Sequence, residues 1–322
     1  VSAFHDSYPL ETVEYHDRLG VPRRLLLGPW KHEHPDFAVH APIGFEAEMA
    51  RWFDHWLRGI GPAPLGPPVA WCEQPSLAWR SGPSWPPTGS TLVDRFAGPG
   101  GTLTGSAPAE AGADDYLVDP TVGLAALPWD WTTATPATAP DISPDDHRAL
   151  TWTTEPLAAG LLLEGNPEVV VHLESDRPDL PLRAWLSDVS PSGRSTLISQ
   201  GWVRPTHLVG GLLRAGEPVE VVVPLNPTSY RLAAGNRLRL AVAGSHFPAL
   251  VPAPVNANLR IHRSPERPTR VRLPVMDLAK ACAALIQADL DVGAYHDGAP
   301  FPPKGIPFLA APTTAGSGSE AS

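Results

Sequence analysis

The residues best suited to chemistry in this sequence are an aspartate and a histidine that each follow a short apolar stretch. Asp6 follows "VSAF", and His32 follows "RRLLLGPWK". A carboxylate that hydrogen-bonds one imidazole nitrogen fixes the tautomer and stabilises the imidazolium, which leaves the other nitrogen to act as a general base. The two residue types therefore indicate acid–base or nucleophilic catalysis, with Asp6 orienting His32.

The elements around this pair are typical of a parallel sheet. "RRLLLG" (23–28) is short and largely apolar, as in strands buried on both faces, and "YPLETVEYHDRLG" (8–20) is typical of a helix that ends at a glycine. Two parallel strands joined by a helix lie close together and end at the same edge of the sheet. We therefore expect Asp6 and His32 to lie within hydrogen-bonding distance.

A second helix is predicted over "GFEAEMARWFDHWLRG" (44–59), ending at Gly59. Its large apolar residues recur at the spacing of one helical face, which predicts that this face packs in a core. These residues are Phe45, Met49, Trp52, Phe53 and Trp56.

The histidine-rich stretch "HEHPDFAVH" (32–40) offers a metal site as an alternative interpretation. His32, His34, Asp36 and His40 are all side chains that can bind a metal ion. A further ligand would have to come from a loop of unknown course, and no second acidic cluster accompanies the stretch. The sequence therefore favours catalysis without a metal or another cofactor. His5, which adjoins Asp6, is interpreted as a structural residue.

A nucleophile for such a site is not evident in the sequence. A hydrolase serine usually sits in a Gly-x-Ser-x-Gly turn between a strand and a helix. The sequence contains no such motif, and "GTLTG" (101–105) has a leucine at the central position. Ser7 is better explained as a helix cap. We therefore expect the nucleophile to lie outside this sequence.

Composition and charge restrict the class of partner. The 322 residues contain 24 basic and 34 acidic side chains, a net charge of −10, which makes nucleic acid or an anionic membrane surface an unfavourable partner. No apolar run reaches the ~20 residues of a membrane span. Two cysteines, Cys72 and Cys282, form no cysteine framework, and a reduced, cytoplasmic protein is expected.

The second half of the chain is predicted to be an antiparallel β-sandwich. Residues 150–275 contain at least six short strand patterns separated by turn residues, with no helical pattern between them. "NRLRLAVAG" alternates, with arginines and alanines on one face and Leu238, Leu240 and Val242 on the other. The residues from 277 to 290 are predicted to form a terminal helix, followed by a disordered tail.

Several motifs together resemble one family of enzymes, the cocaine-esterase/X-Pro dipeptidyl-peptidase family of serine hydrolases. The resemblance rests on an aromatic-x-Asp turn ("FHD") 26 residues before "GPWKH", and it continues through most of the chain as far as residue 276. The other matching stretches are "WFDHWLRG", "AWRSGPSWPP", "YLVDP", "TTEPL", "LSDVSPSGRSTLISQGWVR", "LAAGNRLRLAVAGSHFP" and "IHRSPERPTRVRLPV".

The resemblance implies an α/β plus all-β fold. Residues 1–60 would be the C-terminal part of an α/β-hydrolase domain, and 61–149 a loop-rich linker. Residues 150–276 would be a jelly-roll β-sandwich, with a terminal helix and disordered tail over 277–322.

The resemblance also implies the role of each site residue and the class of substrate. Asp6 would be the triad acid and His32 the general base of an enzyme that cleaves a small ester or an X-Pro peptide through an acyl-enzyme. The chain would be part of a longer or a split protein, with the missing N-terminal hydrolase segment as its partner. A homo-oligomer is also compatible with the sequence. The alternative hypothesis is a non-catalytic sandwich, for binding or assembly, that retains a relic of the hydrolase.

Overall fold

The computed structural model describes residues 1–277, apart from Ser7, Leu65 and 126–140. Except for Asp277, the terminal helix and tail predicted over 277–322 lie outside the described residues, and so does the predicted cap Ser7. The described part of the chain is mostly β-structure with few helices. No helix within it is both long and apolar enough to span a bilayer.

The N-terminal strands form a four-stranded sheet, here called the first sheet. Its strands, in spatial order, are β1 (Ser2–Ala3), β2 (Leu25–Gly28), β3 (Val69–Glu73) and β4 (Ala78–Gly82). The first three are parallel, and β4 is antiparallel to β3. Helix α1 (Pro9–Arg18) connects β1 to β2, and α2 (Phe45–Arg58) lies between β2 and β3. Every residue of β2 is buried, as its apolar sequence predicts.

The segment 61–149, which the resemblance predicts to be a loop-rich linker, contains five strands among its described residues. It supplies β3 and β4 to the first sheet, and three further strands to the sandwich described below. A consequence is that β2 has a parallel neighbour on each side. All five residues of β3, "VAWCE", are buried.

The remaining strands form two further sheets, of nine and four strands among the described residues, which pack as a β-sandwich. The larger sheet contains β5 (Ser90–Ala97), β6 (Leu103–Thr104), β7 (Gly112–Leu117), β9 (Leu161–Gly165), β10 (Glu168–Ser175), β13 (Val219–Pro224), β14 (Thr228–Leu232), β16 (Asn258–Arg263) and β17 (Arg270–Met276). The smaller contains β8 (Leu150–Thr153), β11 (Leu182–Val189), β12 (Ser195–Val203) and β15 (Arg237–Ala243). Two short helices, α3 (Ser143–Asp146) and α4 (Pro205–Val209), lie between strands.

The two faces of β15 follow the alternation predicted from its sequence. Leu238, Leu240 and Val242 belong to the large core between the two sheets. Ala241 and Ala243, on the opposite face, pack in a separate cluster with residues such as Trp185. The alanines of this outer face are buried as well, because Tyr116, Val122, Ile142 and Ala149 pack in the same cluster.

Helix α2 does not bury the apolar face that its sequence predicts, and the prediction of core packing is wrong for this chain. No residue of α2 is buried, and Phe53, Trp56 and Leu57 are exposed. The rings of Trp52 and Trp56 lie 5.9 Å apart on this helix. The exposed apolar residues Phe53, Trp56, Leu57 and Ile60 are called the α2 face below.

Candidate active site

Asp6 and His32 follow adjacent parallel strands at the same edge of the first sheet. β1 ends at Ala3, and a turn brings the N–H of Asp6 to the carbonyl of Ala3 at 3.2 Å. β2 ends at Gly28, four residues before His32. The parallel pairing of Ala3 with Gly28 therefore delivers both side chains to one place, as their positions after the two strands predict.

The carboxylate and the imidazole are in direct contact. Nδ1 of His32 lies 3.1 Å from Oδ1 and 3.3 Å from Oδ2 of Asp6. The side chain of His32 is 70% exposed, whereas that of Asp6 is 20% exposed. An Nδ1–H that donates to the carboxylate leaves the lone pair of Nε2 to accept a proton from another group. The geometry suits a general base, while the catalytic role of each residue stays a prediction.

The sequence "GPW" positions the loop that carries His32. The indole of Trp30 is buried, folds back over Gly28 and packs against Trp79 at 5.8 Å between ring centroids. A Cβ at Gly28 would overlap this indole, so only glycine fits there. The indole N–H lies 3.2 Å from the carbonyl oxygens of both His40 and Ala41, which ties the loop to the chain further along.

The turn that carries Asp6 is held from the other side by residues that the sequence analysis missed. His5 is buried, and its Nε2 lies 2.8 Å from Oε1 of Gln74, in agreement with its interpretation as a structural residue. Nδ2 of Asn226 donates to the carbonyl of Asp6 at 3.1 Å. Gln74 and Asn226 are distant from Asp6 in sequence, so spacing and periodicity carried no signal for either contact.

The histidine-rich loop forms a different cluster from the metal site that its sequence suggests. His34, Asp36 and Glu46 could each place a ligand atom within 4.8 Å of the others, and neither His32 nor His40 belongs to this group. Asp36 accepts the N–H groups of Phe45 at 2.5 Å and Glu46 at 3.0 Å, so it caps the start of α2. The hydrogen bond from the Glu46 N–H is the main cause that holds the pKa of Asp36 below its ordinary value.

His34 has a packing role in the same cluster. Its ring lies 5.1 Å from that of Phe37 and 5.7 Å from that of Phe45, and its Nδ1 accepts the N–H of Asp36 at 3.3 Å. His34 and Asp36 thus join the loop to the first turn of α2. These contacts give His34 and Asp36 structural roles in the loop.

Cys72, the cysteine that lies within the described part of the chain, is not a substitute for a serine nucleophile. Cys72, in β3, is completely buried, and burial raises the pKa of its thiol to about 12. Since the thiolate is the nucleophilic form, Cys72 stays protonated and unreactive near neutral pH.

The comparison with known proteins places the chain in a family. Residues 64–272 match the family model described as the X-Pro dipeptidyl-peptidase C-terminal non-catalytic domain. The chain belongs to this family. The predicted resemblance to the cocaine-esterase/X-Pro dipeptidyl-peptidase family is confirmed by the relatives as well. The match of this C-terminal domain includes β3 and β4, whereas Asp6 and His32 precede it.

Two curated relatives of this chain are named as esterases. The chain is 30% identical over 295 residues to a putative serine esterase of Mycobacterium bovis, an alignment that covers 78% of this chain and 45% of the relative. It is 28% identical to the cocaine esterase of a Rhodococcus species, with coverage of 79% and 51%. The chain therefore spans about half the length of these curated relatives.

Solved structures support the fold of the described residues. An aminopeptidase from a Thaumarchaeota archaeon superposes with a TM-score of 0.70 at 21% identity, over 83% of this chain and 52% of that chain. An α-amino acid ester hydrolase superposes with a TM-score of 0.68 at 23% identity, over 82% and 52%. At these identities the likeness concerns the fold alone.

Proposed function

We propose that this chain is the C-terminal portion of a serine hydrolase that cleaves ester or amide bonds through an acyl-enzyme. In this proposal Asp6 is the triad acid and His32 the general base, and the nucleophilic serine belongs to a segment outside this sequence. The substrate would be a small acyl ester or an X-Pro peptide. The observation that carries the proposal is the contact of Nδ1 of His32 with Asp6 beside an exposed imidazole.

The chemistry follows from this geometry. Nε2 of His32 takes the proton of the serine hydroxyl as its oxygen attacks the substrate carbonyl, and Asp6 stabilises the resulting imidazolium. The imidazolium then gives this proton to the departing alcohol or amine, and the serine remains acylated. A water molecule, deprotonated by His32, releases the acid and restores the serine.

The first sheet would be the C-terminal part of an α/β-hydrolase sheet. Its parallel strands with an intervening helix, and the uncovered α2 face, support this proposal. The preceding segment of the hydrolase would cover the α2 face.

We further propose that the sandwich has the jelly-roll strand order and that the protein is cytoplasmic, where a buried free thiol such as that of Cys72 remains reduced.

A second candidate function is a binding or assembly chain without catalytic activity. The description of the matched domain as non-catalytic favours this role for residues 64–272. It does not account for the Asp6–His32 pair, which precedes the matched region. The two candidates differ in whether a catalytic serine acts together with His32.

The experiment that tests the proposal is labelling by a fluorophosphonate, which reacts with activated serines. We expect no labelling and no esterase burst from the 322-residue chain alone. The complete protein, with the preceding segment encoded by the same gene or by its neighbour, should be labelled on a serine of that segment. Labelling within the 322-residue chain would contradict the assignment, and an unlabelled complete protein would favour the binding role.

A further inference from the structure

The side chain of Asn226 joins the β-sandwich to the turn that carries Asp6. Asn226 lies between β13 and β14 and is 8% exposed. Its Nδ2 lies 3.1 Å from the carbonyl oxygen of Asp6 and 3.4 Å from that of Phe4. Because both acceptors are carbonyl oxygens, the amide must present its NH₂ group to them. One side chain of the sandwich thus holds the backbone at both ends of the turn 4–6.

Asn226 is itself fixed by strand β12. Its N–H donates to the carbonyl of Gln200 at 2.9 Å, and its carbonyl accepts the hydroxyl of Ser199 at 2.6 Å. The neighbouring Gly201 packs so closely on the backbone of Pro224 that any Cβ would overlap the Pro224 carbonyl. The chain around Asn226 therefore has little freedom to move relative to β12.

A second residue holds the same turn in a similar way. Oε1 of Gln74 lies 2.8 Å from Nε2 of His5, the residue before Asp6. The backbone of Gln74 is bonded to β14 on both sides, to the carbonyl of Ser229 at 2.9 Å and to the N–H of Arg231 at 2.7 Å. Two separate contacts with residues fixed to the sandwich thus hold the turn.

We propose that Asn226 is a positioning residue for Asp6, so that the sandwich sets the orientation of the carboxylate that contacts His32. The inference rests on the proposed function and assigns the sandwich a part in it. The N–H groups of Phe4 and His5 donate to the carbonyls of Gly28 at 2.9 Å and Trp30 at 3.3 Å, whereas the carbonyl of Asp6 accepts the side-chain amide of Asn226. The direction of the Asp6 carboxylate depends on the backbone of residues 4–6, and in a catalytic group a displacement of about 1 Å can cost about 100-fold in rate.

The test measures the tautomer of neutral His32 in the 322-residue chain by ¹⁵N NMR at alkaline pH. The signals of His32 are identified by their loss in His32→Gln. Free imidazole side chains favour the Nε2–H tautomer, whereas a carboxylate at Nδ1 favours Nδ1–H. We expect Nδ1–H to predominate in the parent and Nε2–H to predominate in Asp6→Ala.

The inference predicts that Asn226→Ala shifts His32 towards the Nε2–H tautomer. Asn226→Asp should do the same, since it keeps the shape of the side chain but removes the two N–H donors. The matched control is Asn236→Ala, which removes a 2.8 Å hydrogen bond from Asn236 to Asp188 within the sandwich. It should lower the melting temperature comparably and leave the tautomer as in the parent.

The outcomes separate this inference from the proposed function. A parent-like tautomer in both Asn226 variants, together with a shift in Asp6→Ala, would overturn the positioning role alone. An equal tautomer shift in Asn236→Ala would also overturn it, because general destabilisation would then explain the effect. If Asp6→Ala left the tautomer of His32 as it is in the unsubstituted chain, this result would instead contradict the Asp6–His32 pair.

Discussion

Glu73 and Arg231 form a bidentate ion pair between the first sheet and the β-sandwich. Oε1 of Glu73 lies 2.7 Å from Nε of Arg231, and Oε2 lies 2.9 Å from a terminal nitrogen of the same guanidinium. Arg80 also donates to Glu73, with its Nε at 2.9 Å. Since Glu73 ends β3 and Arg231 lies in β14, this pair fixes the two parts of the chain relative to each other.

Glu73→Gln tests this connection by its effect on stability. The Glu73 side chain is 4% exposed, and the substitution leaves two arginines without their shared carboxylate. We expect the free energy of unfolding to fall by about 2–4 kcal/mol at neutral pH, somewhat less than for a fully buried pair because both arginines retain contact with water. Denaturant unfolding measures the change, and a loss below about 1 kcal/mol would contradict this role.

The matched control is Glu164→Gln, which removes a neighbouring carboxylate of opposite character. Burial raises the pKa of Glu164, so its charged form is less favoured than in water, although its Oε1 lies 3.6 Å from Nε of Arg80. Its Oε1 accepts hydrogen bonds from Trp71 at 2.9 Å and from Ser229 at 3.0 Å, and a glutamine oxygen can accept both. We expect a change within about 1 kcal/mol at neutral pH, in contrast to Glu73→Gln.

The contribution of Glu73 to stability should depend on pH. Burial of Glu73 acts to raise its pKa, but the hydrogen bonds and charges of Arg231 and Arg80 outweigh burial, so the pKa lies below the ordinary 4.5. The stabilisation by Glu73 is therefore complete above this ordinary value and is lost as the pH falls through the lowered one. The stability gap between the parent and Glu73→Gln should narrow only below about pH 4.5. A gap that narrows between pH 7 and 5 would contradict this assignment.

Gly201→Ala tests the close packing that fixes Asn226. Its Cβ would overlap the carbonyl of Pro224, so strand β12 or the chain at 224–226 must shift. We expect a loss of about 1–3 kcal/mol in the free energy of unfolding, as for an overpacked core. Gly211→Ala is the control, because Gly211 has no heavy atom within 4 Å of an added Cβ. Equal melting temperatures for the two variants would contradict the close packing.

Trp56→Asp tests whether the α2 face is an uncovered contact surface. In the absence of the preceding segment, the exposed apolar residues of this face should drive self-association of the chain. We expect Trp56→Asp to shift the weight-average mass towards the monomer in sedimentation experiments. Ala47→Asp adds the same charge to an exposed position of α2 and should leave association unchanged. A chain that is monomeric at high concentration without any substitution would contradict this prediction.

The sequence predicted the location of the Asp6–His32 pair because each residue follows the end of a short strand, and two parallel strands joined by one helix usually lie side by side. It also predicted the two faces of β15, since alternation is visible within a single strand. It did not predict that β3 would join the first sheet, because a buried strand pattern does not specify its neighbour. The contacts of Gln74 and Asn226 with the turn at Asp6 depend on how distant loops meet in the folded chain.

Helix α2 shows a further limit of sequence-based prediction. Its apolar pattern predicts a face suited to contact with another surface, but the pattern does not specify which element or chain supplies that surface. Phe53 and Trp56 remain exposed because no element in the described part of the chain packs over them.

The catalytic roles proposed for Asp6 and His32 are measured by the kcat of the complete protein for a small ester after single substitutions. We expect His32→Ala to lower kcat by ~10³–10⁶, the scale for removing a triad base, and Asp6→Asn by roughly 10⁴. His34→Ala should change kcat by less than about twofold, because His34 packs against Phe37 and Phe45. Full activity of His32→Ala would contradict the account. So would a loss in His34→Ala equal to that in His32→Ala, together with inactivation by a chelator.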